Sequence, residues 1–241
     1  MSALFEELDY QPTPIGALSL RRRRELRLGV DVIEIKLGEH FLMSSLFTES
    51  EVELARRSLS LLDATAIDVM VGGLGLGYTA AAVLEDPRVA SLTVCEMLEP
   101  VIEWHRSGLL PLGPVLTGDK RCRFVHGDFF AMSASDTGFD PRQSRRRFDA
   151  ILVDIDHSPD ELLDQRSASF YQTEGLSRLA SHLQPGGVFG LWSNAPPEAS
   201  FTRRLAEVFA DARAIPVTFR NPLQDNLSTQ TVYVGRLPSA V

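Results

Sequence analysis

The sequence predicts an α/β protein: a mostly parallel sheet covered by helices on both faces, preceded by a small β-rich region. Three observations carry this expectation. The chain has 241 residues, 44% of them hydrophobic and 23% charged, which is enough apolar material for a large core. From residue 67 onward, short apolar runs alternate with segments of helical period, the pattern of strand–helix–strand units. The first of these runs ends in a turn with three alternate glycines, Gly73, Gly75 and Gly77. A change of character near residue 64 divides the chain into a β-rich region with a linking helix, 1–63, and a larger α/β domain, 64–241.

In the first region, residues 15–20, 25–28 and 32–36 read as strands, the last continuing through Phe41 and Leu42, with Gly16, Gly29 and Gly38 as turns. A helix is expected over 51–62. Ser50 and Glu53 have capping-box spacing, Val52, Ala55, Leu59 and Leu62 repeat at helical intervals, and Glu49, Glu51 and Glu53 read as helix-start acids. Strand 67–71 then leads through the glycine turn to an Ala-rich helix, 79–84, and strand 91–95 leads to helix 99–105. A third strand, 122–125, precedes Gly127 and Asp128, and residues 133–147 read as a polar surface loop. Strand 148–153 ends in the acidic turn Asp154-Ile155-Asp156-His157. Helix 173–183 stops at Gln184-Pro185-Gly186-Gly187 before strand 188–192, and helix 198–209 follows. The link between the closing strands, 212–219 and 229–234, is too short for a crossover helix, so they are expected to be antiparallel.

Charge and cysteine content exclude several function classes. A net charge of −8 argues against a nucleic-acid or membrane-surface partner. Two basic clusters, Arg21-Arg22-Arg23-Arg24 and Arg142 with Arg145, Arg146 and Arg147, read as a solvated strand edge and a solvated loop. No apolar run reaches the length of a transmembrane helix, and residues 1–7 have neither the basic start nor the apolar stretch of a signal peptide. Two cysteines, Cys95 and Cys122, make neither a disulfide framework nor a zinc site. Both read as reduced core thiols, so a cytoplasmic protein without a metal is expected.

The chemical signal is concentrated where strands end. A glycine turn after the first parallel strand lets a ligand approach the backbone, and the helix behind it offers free amides. Glu96 lies nineteen residues beyond Gly77 at the end of the second strand, where a carboxylate accepts both hydroxyls of a ribose. Asp128 follows the third strand and Asp154 the fourth. Open α/β sheets bind ligands at these carboxyl ends. The glycine spacing is not that of a dinucleotide site and no phosphate-binding lysine follows, so a nucleoside without a pyrophosphate fits best.

These residues also carry a family resemblance. Residues 73–107, with Gly75-Leu76-Gly77-Tyr78-Thr79, Val83-Leu84-Glu85-Asp86-Pro87 and Val94-Cys95-Glu96, resemble the nucleoside-binding core of spermidine synthases, the polyamine aminopropyltransferases. More broadly they resemble class I S-adenosylmethionine-dependent methyltransferases. Phe124-Val125-His126-Gly127-Asp128, Phe148-Asp149-Ala150-Ile151-Leu152-Val153-Asp154, Phe170-Tyr171 and Leu183-Gln184-Pro185-Gly186-Gly187 extend the similarity over about residues 65–195. The resemblance implies a Rossmann-like, seven-stranded, mostly parallel sheet with an antiparallel last strand, behind the β-rich N-terminal region. It implies S-adenosylmethionine or decarboxylated S-adenosylmethionine as cofactor, a small-molecule acceptor and a homodimer. Glu96 would hold the ribose, Gly127 and Asp128 would lie against the adenine, and Gly73, Gly75 and Gly77 would border the amino-acid or aminopropyl tail.

The chain departs from the family pattern where the reaction would occur. Leu76 stands where spermidine synthases have an acidic residue, and their Asp-x-x-Asp-Pro is matched by Asp154 but has His157 in the second acidic place, with Asp156 one step earlier. Between residues 41 and 53 only Glu49, Glu51 and Glu53 stand in for their glutamine and tyrosine–histidine–glutamate cluster. Aminopropyl transfer needs a neutral amine, so a carboxylate must hold the cationic substrate and accept a proton. Asp154 is expected to orient the substrate or cofactor amine, and Asp156 or the His157 imidazole to accept the proton. Methyl transfer asks less, because the sulfonium is already activated and alignment does most of the work. Aminopropyl and methyl transfer therefore both stay open. A catalytically silent nucleoside-binding protein is the alternative outside enzymology, and the Arg142 cluster leaves RNA methylation as an outlying one. Tyr171 and Trp192 either line an acceptor pocket or pack in the core.

Overall fold

Strands β1 (Phe5–Thr13), β2 (Gly16–Glu25), β3 (Val30–Leu37) and β4 (His40–Ser44) form an antiparallel sheet in chain order. Leu18 pairs with Leu37 and Leu20 with Ile35, which puts four buried aliphatics on one side. The structure, a computed structural model, describes residues 4–239. Met1, Ser2 and Ala3, which open the segment read as lacking a signal peptide, lie outside the described residues. Three expectations are corrected here. β1 was not foreseen, because its residues are mostly polar. Residues 25–28 form no strand: β2 ends at Glu25 and the chain turns through Leu26, which is 72% exposed. The arginines 21–24 lie on a strand paired on both sides, and Arg22, Arg23 and Arg24 are absorbed by ion pairs to Glu6, Glu25 and Glu34, and Asp31.

Helix α1 (Glu49–Leu59) links this sheet to the next. It starts earlier than expected, after Thr48, whose side chain makes no capping bond, and Ser50 lies inside its first turn. The capping box with Glu53 is therefore not formed. The chain continues through β5 (Ile67–Gly72), α2 (Tyr78–Glu85), β6 (Val89–Glu96), α3 (Glu99–Arg106), α4 (Gly113–Gly118), β7 (Cys122–His126) and α5 (Phe129–Ser133). Then follow β8 (Phe148–Val153), a 3-10 turn (Gln165–Tyr171), α6 (Thr173–Ala180), β9 (Leu183–Ser193), α7 (Ala199–Ala206), β10 (Ala210–Asn221) and β11 (Asn226–Arg236). The short helices α4 and α5 carry too few residues to show a period in the sequence.

The second sheet has seven strands in the order β10-β11-β9-β8-β5-β6-β7. β5 to β9 are parallel, and β11 is antiparallel to both β9 and β10, as the short closing link requires. Strand residues alternate between two cores. Val69, Val71, Ala150 and Leu152 pack toward α1, α2 and the N-terminal sheet, whereas Met70, Ile151, Val153 and Phe189 pack toward an aromatic cluster that includes Phe139, Phe170 and Tyr171. Phe139 is fully buried and the buried Asp140 pairs with Arg123 and Arg146, so the expected surface loop is pinned at its centre. Cys95 and Cys122 are free, and burial pushes both thiols up. Among the described residues no helix is long and apolar enough to cross a membrane. Strand order reverses at β5, between β6 and β8, which opens a crevice at their carboxyl ends.

Candidate functional site

The crevice is a cavity of about 660 Å³, within the range of small-molecule sites, and β4 and α1 of the N-terminal region close one side of it. The glycine turn forms its edge. Gly73 (φ 92°) and Gly75 (φ 47°) both line the cavity in left-handed conformations that any side chain would strain. A Cβ on Gly73 would collide with the Asp154 carbonyl, and one on Gly75 with the Met43 sulfur. Met43 Sδ also accepts the Leu76 N–H at 2.9 Å, so β4 is clipped onto the turn. His105, fully buried behind the turn, donates from Nε2 to the Gly75 carbonyl at 3.0 Å, and burial holds its pKa down so that it stays neutral.

Gly77 and Gly127 are not among the residues that line the cavity. Gly77 stands behind the cavity wall, where a Cβ would come within 2.8 Å of Leu116 and 2.9 Å of His105. Gly127 likewise makes room for Met132, with a Cβ position 2.7 Å from its sulfur. At both positions glycine serves packing within the protein.

Glu96 and Asp128 face the cavity from the ends of β6 and β7. Glu96 Oε2 accepts the Leu74 N–H at 2.9 Å and Oε1 the Leu98 N–H at 2.8 Å, which pins the carboxylate at the cavity edge. Burial raises its pKa, against backbone N–H groups that pull it down. Asp128 caps α5 by accepting from the Phe130 and Ala131 amides through Oδ1. Among the described residues its Oδ2 accepts no hydrogen bond.

The end of β8 carries the acidic turn. Asp154 Oδ2 accepts the Thr79 hydroxyl at 2.7 Å, and the same hydroxyl lies 3.3 Å from the Glu51 carbonyl. Glu51 is 5% exposed and lines the cavity beside Asp154. Burial raises both carboxyls, and the Asp154 charge pushes Glu51 further up. Two buried carboxyls that oppose each other's ionisation share a proton readily near neutral pH. Ser50 Oγ lies 2.8 Å from Glu51 Oε2, accepts the Trp192 indole N–H at 2.7 Å and meets Gln230 Oε1. Gln230 in turn donates to Asn194 at 2.7 Å. Sequence reasoning explained Glu51 as a helix-start acid; Trp192 lies at the site rather than deep in the core.

Asp156 and His157 also border the cavity, but the Asp156 carboxylate is committed to the protein. It is 3% exposed, and accepts the Leu163 N–H at 2.7 Å through Oδ1 and the Ser167 and Tyr171 hydroxyls at 3.2 and 2.7 Å through Oδ2. Tyr171 is therefore a core residue with a polar tip tied to Asp156. His157 is half-buried, and its backbone carbonyl accepts the Asn194 N–H at 2.7 Å.

No family model and no curated protein matches the sequence. Solved structures do match the fold. A spermidine synthase from Thermotoga maritima superposes with a TM-score of 0.71 at 17% identity, over 95% of this chain and 72% of that one. A spermidine synthase in complex with the transition-state analogue AdoDATO superposes with a TM-score of 0.74 at 18% identity, over 95% of this chain and 73% of that one. The chain thus has the fold of the spermidine synthases, in both the four-stranded and the seven-stranded sheet.

Proposed function

We propose that the protein transfers an aminopropyl group from a decarboxylated S-adenosylmethionine-type nucleoside to a small amine. The pair Glu51–Asp154, beside the glycine turn and one strand away from Glu96, carries this reading. The Glu96 carboxylate, held by backbone N–H groups at the cavity edge, would accept the ribose hydroxyls. Phe130 and the open oxygen of Asp128 lie where the adenine would rest. The bound sulfonium supplies an electrophilic carbon: its C–S bond breaks onto sulfur as the amine nitrogen bonds to that carbon. Glu51 and Asp154 attract the ammonium form of the acceptor and then take the proton that nitrogen must lose. Their raised pKa values bring them closer to the amine and make them stronger bases than ordinary carboxylates. Asp156, given this task on sequence together with His157, is held by Leu163, Ser167 and Tyr171, and we assign it to shaping the loop instead.

The donor's form follows from charge. Glu51 and Asp154 stand at the tail end of the cavity, and the arginines that line it, Arg166 and Arg178, come from the segments around the 3-10 turn and α6. An amino-acid carboxylate on the tail would face two acids without a cation, whereas an aminopropyl tail carries only positive charge. The spermidine synthase of the same fold that holds AdoDATO supports this choice. The test is thermal. Methylthioadenosine and decarboxylated S-adenosylmethionine at about 100 Kd should stabilise the protein by about 2.7 kcal/mol, roughly 5–10 °C for a chain of this size. A larger shift with S-adenosylmethionine would favour methyl transfer, and no shift with any of the three would overturn the reading.

A further inference from the structure

The cavity does not end at Glu51 and Asp154. Beyond them Phe47, Asn194 and Gln230 are shared with a second cavity of about 320 Å³, which continues along Asn221, Ser228 and Thr229 of the last two strands. No charged side chain lines this second cavity among the described residues. Its walls are amides, hydroxyls and the rings of Phe47 and Phe219. The chain of hydrogen bonds from Trp192 through Ser50 and Gln230 to Asn194 fixes the passage between the two spaces with neutral groups only.

The other acids of the first cavity cannot serve this far end. Asp156 is committed to Leu163, Ser167 and Tyr171, and Asp164 is ion-paired to Arg166. Glu96 and Asp128 lie at the ends of β6 and β7, with Glu174 at the start of α6. An acceptor whose reacting nitrogen sits at Glu51–Asp154 therefore has its other end among neutral hydrogen-bonding groups. A second ammonium there would find no counter-charge. A hydroxyl or amide would instead find donors and acceptors.

Resting on the transferase reading above, we propose that the acceptor is a monoamine with an uncharged hydrogen-bonding far end, an amino alcohol or amino amide, in place of a diamine. The experiment uses calorimetry on the full chain saturated with methylthioadenosine, so that binding is read without turnover. The titrants are 4-aminobutan-1-ol, putrescine and butylamine. The expected result is that the amino alcohol binds at least about 10-fold more tightly than either of the others. Ser228→Asp, which brings a carboxylate to the second cavity, should shift the ratio of putrescine to amino-alcohol affinity at least about 10-fold toward putrescine. Thr229→Asp is the second route if that variant fails to fold.

Putrescine binding as tightly as the amino alcohol, or butylamine matching it, would overturn the inference while leaving the transferase reading intact. So would an unchanged ratio in both folded variants, or a bound nucleoside with no binding of any amine. Failure of methylthioadenosine itself to bind would overturn the transferase reading, and this inference with it.

Discussion

Glu51 and Asp154 meet at Thr79, whose hydroxyl donates to Asp154 Oδ2 at 2.7 Å and lies 3.3 Å from the Glu51 backbone carbonyl. One residue comes from the helix that follows the N-terminal sheet and the other from the end of β8, so the acid pair exists only when the two sheets are docked. Thr79, 3% exposed on the first turn of α2, fixes their relative placement. The two carboxyls oppose each other's ionisation, which has a cost when no cation is bound.

That cost sets a pH dependence. The ordinary Glu value of 4.5 is raised to about 8 for Glu51 in the folded protein. A carboxyl whose folded pKa lies above its unfolded one contributes stability that is complete below the unfolded value and lost as pH rises through the folded value. Glu51→Gln removes this loss. In the ligand-free protein it should melt with the wild type at pH 4.5 and above it at pH 8.5, by at least about 1 kcal/mol or roughly 2–4 °C. A wild type that melts higher at pH 8.5 would show that Glu51 is ionised at no cost.

Glu96→Gln isolates the nucleoside. The amide keeps one acceptor oxygen for the backbone but exchanges a charged ribose partner for a neutral one. Methylthioadenosine binding should weaken by about 1.5–3 kcal/mol, roughly 10- to 150-fold. Calorimetry on a folded variant with unchanged affinity would remove Glu96 from the site.

Asp156→Asn separates support from chemistry. The amide nitrogen cannot accept from Tyr171 or Ser167, so about 1–3 kcal/mol of stability should be lost, a fall of roughly 2–12 °C in Tm. At a temperature where it is folded, kcat should stay within about tenfold of wild type, short of the 10²–10⁴-fold loss of a general base. A loss of that size without a change in Tm would return the proton-accepting role to Asp156.

The sequence made the strand ends legible. Apolar runs of period two and three long helical faces located β5 to β9, and Glu96, Asp128 and Asp154 fell at successive carboxyl ends because the parallel sheet aligns them. What stayed hidden comes from long-range contact. Met43 meets the turn at Gly75 only because β4 folds back over it, and no local pattern records that approach. Glu51 was disguised by its neighbours: an acid in the first turn of a helix has a sufficient local explanation, and only its burial against Asp154 gives it another. For Asp156, its place after β8 suggested chemistry, whereas its hydrogen-bond partners, Leu163, Ser167 and Tyr171, lie 7 to 15 residues further on and could not be read locally.

The most direct test of the central claim is a mass-spectrometric assay of nucleoside products. Purified protein would be incubated with decarboxylated S-adenosylmethionine or S-adenosylmethionine and a panel of amines, alongside Glu51→Gln. The account predicts methylthioadenosine from the decarboxylated donor in an amine-dependent reaction, with turnover lowered about 10²–10⁴-fold in the variant. S-adenosylhomocysteine formed in its place would contradict the assigned group, and neither product from a protein that binds the nucleoside would contradict transfer itself.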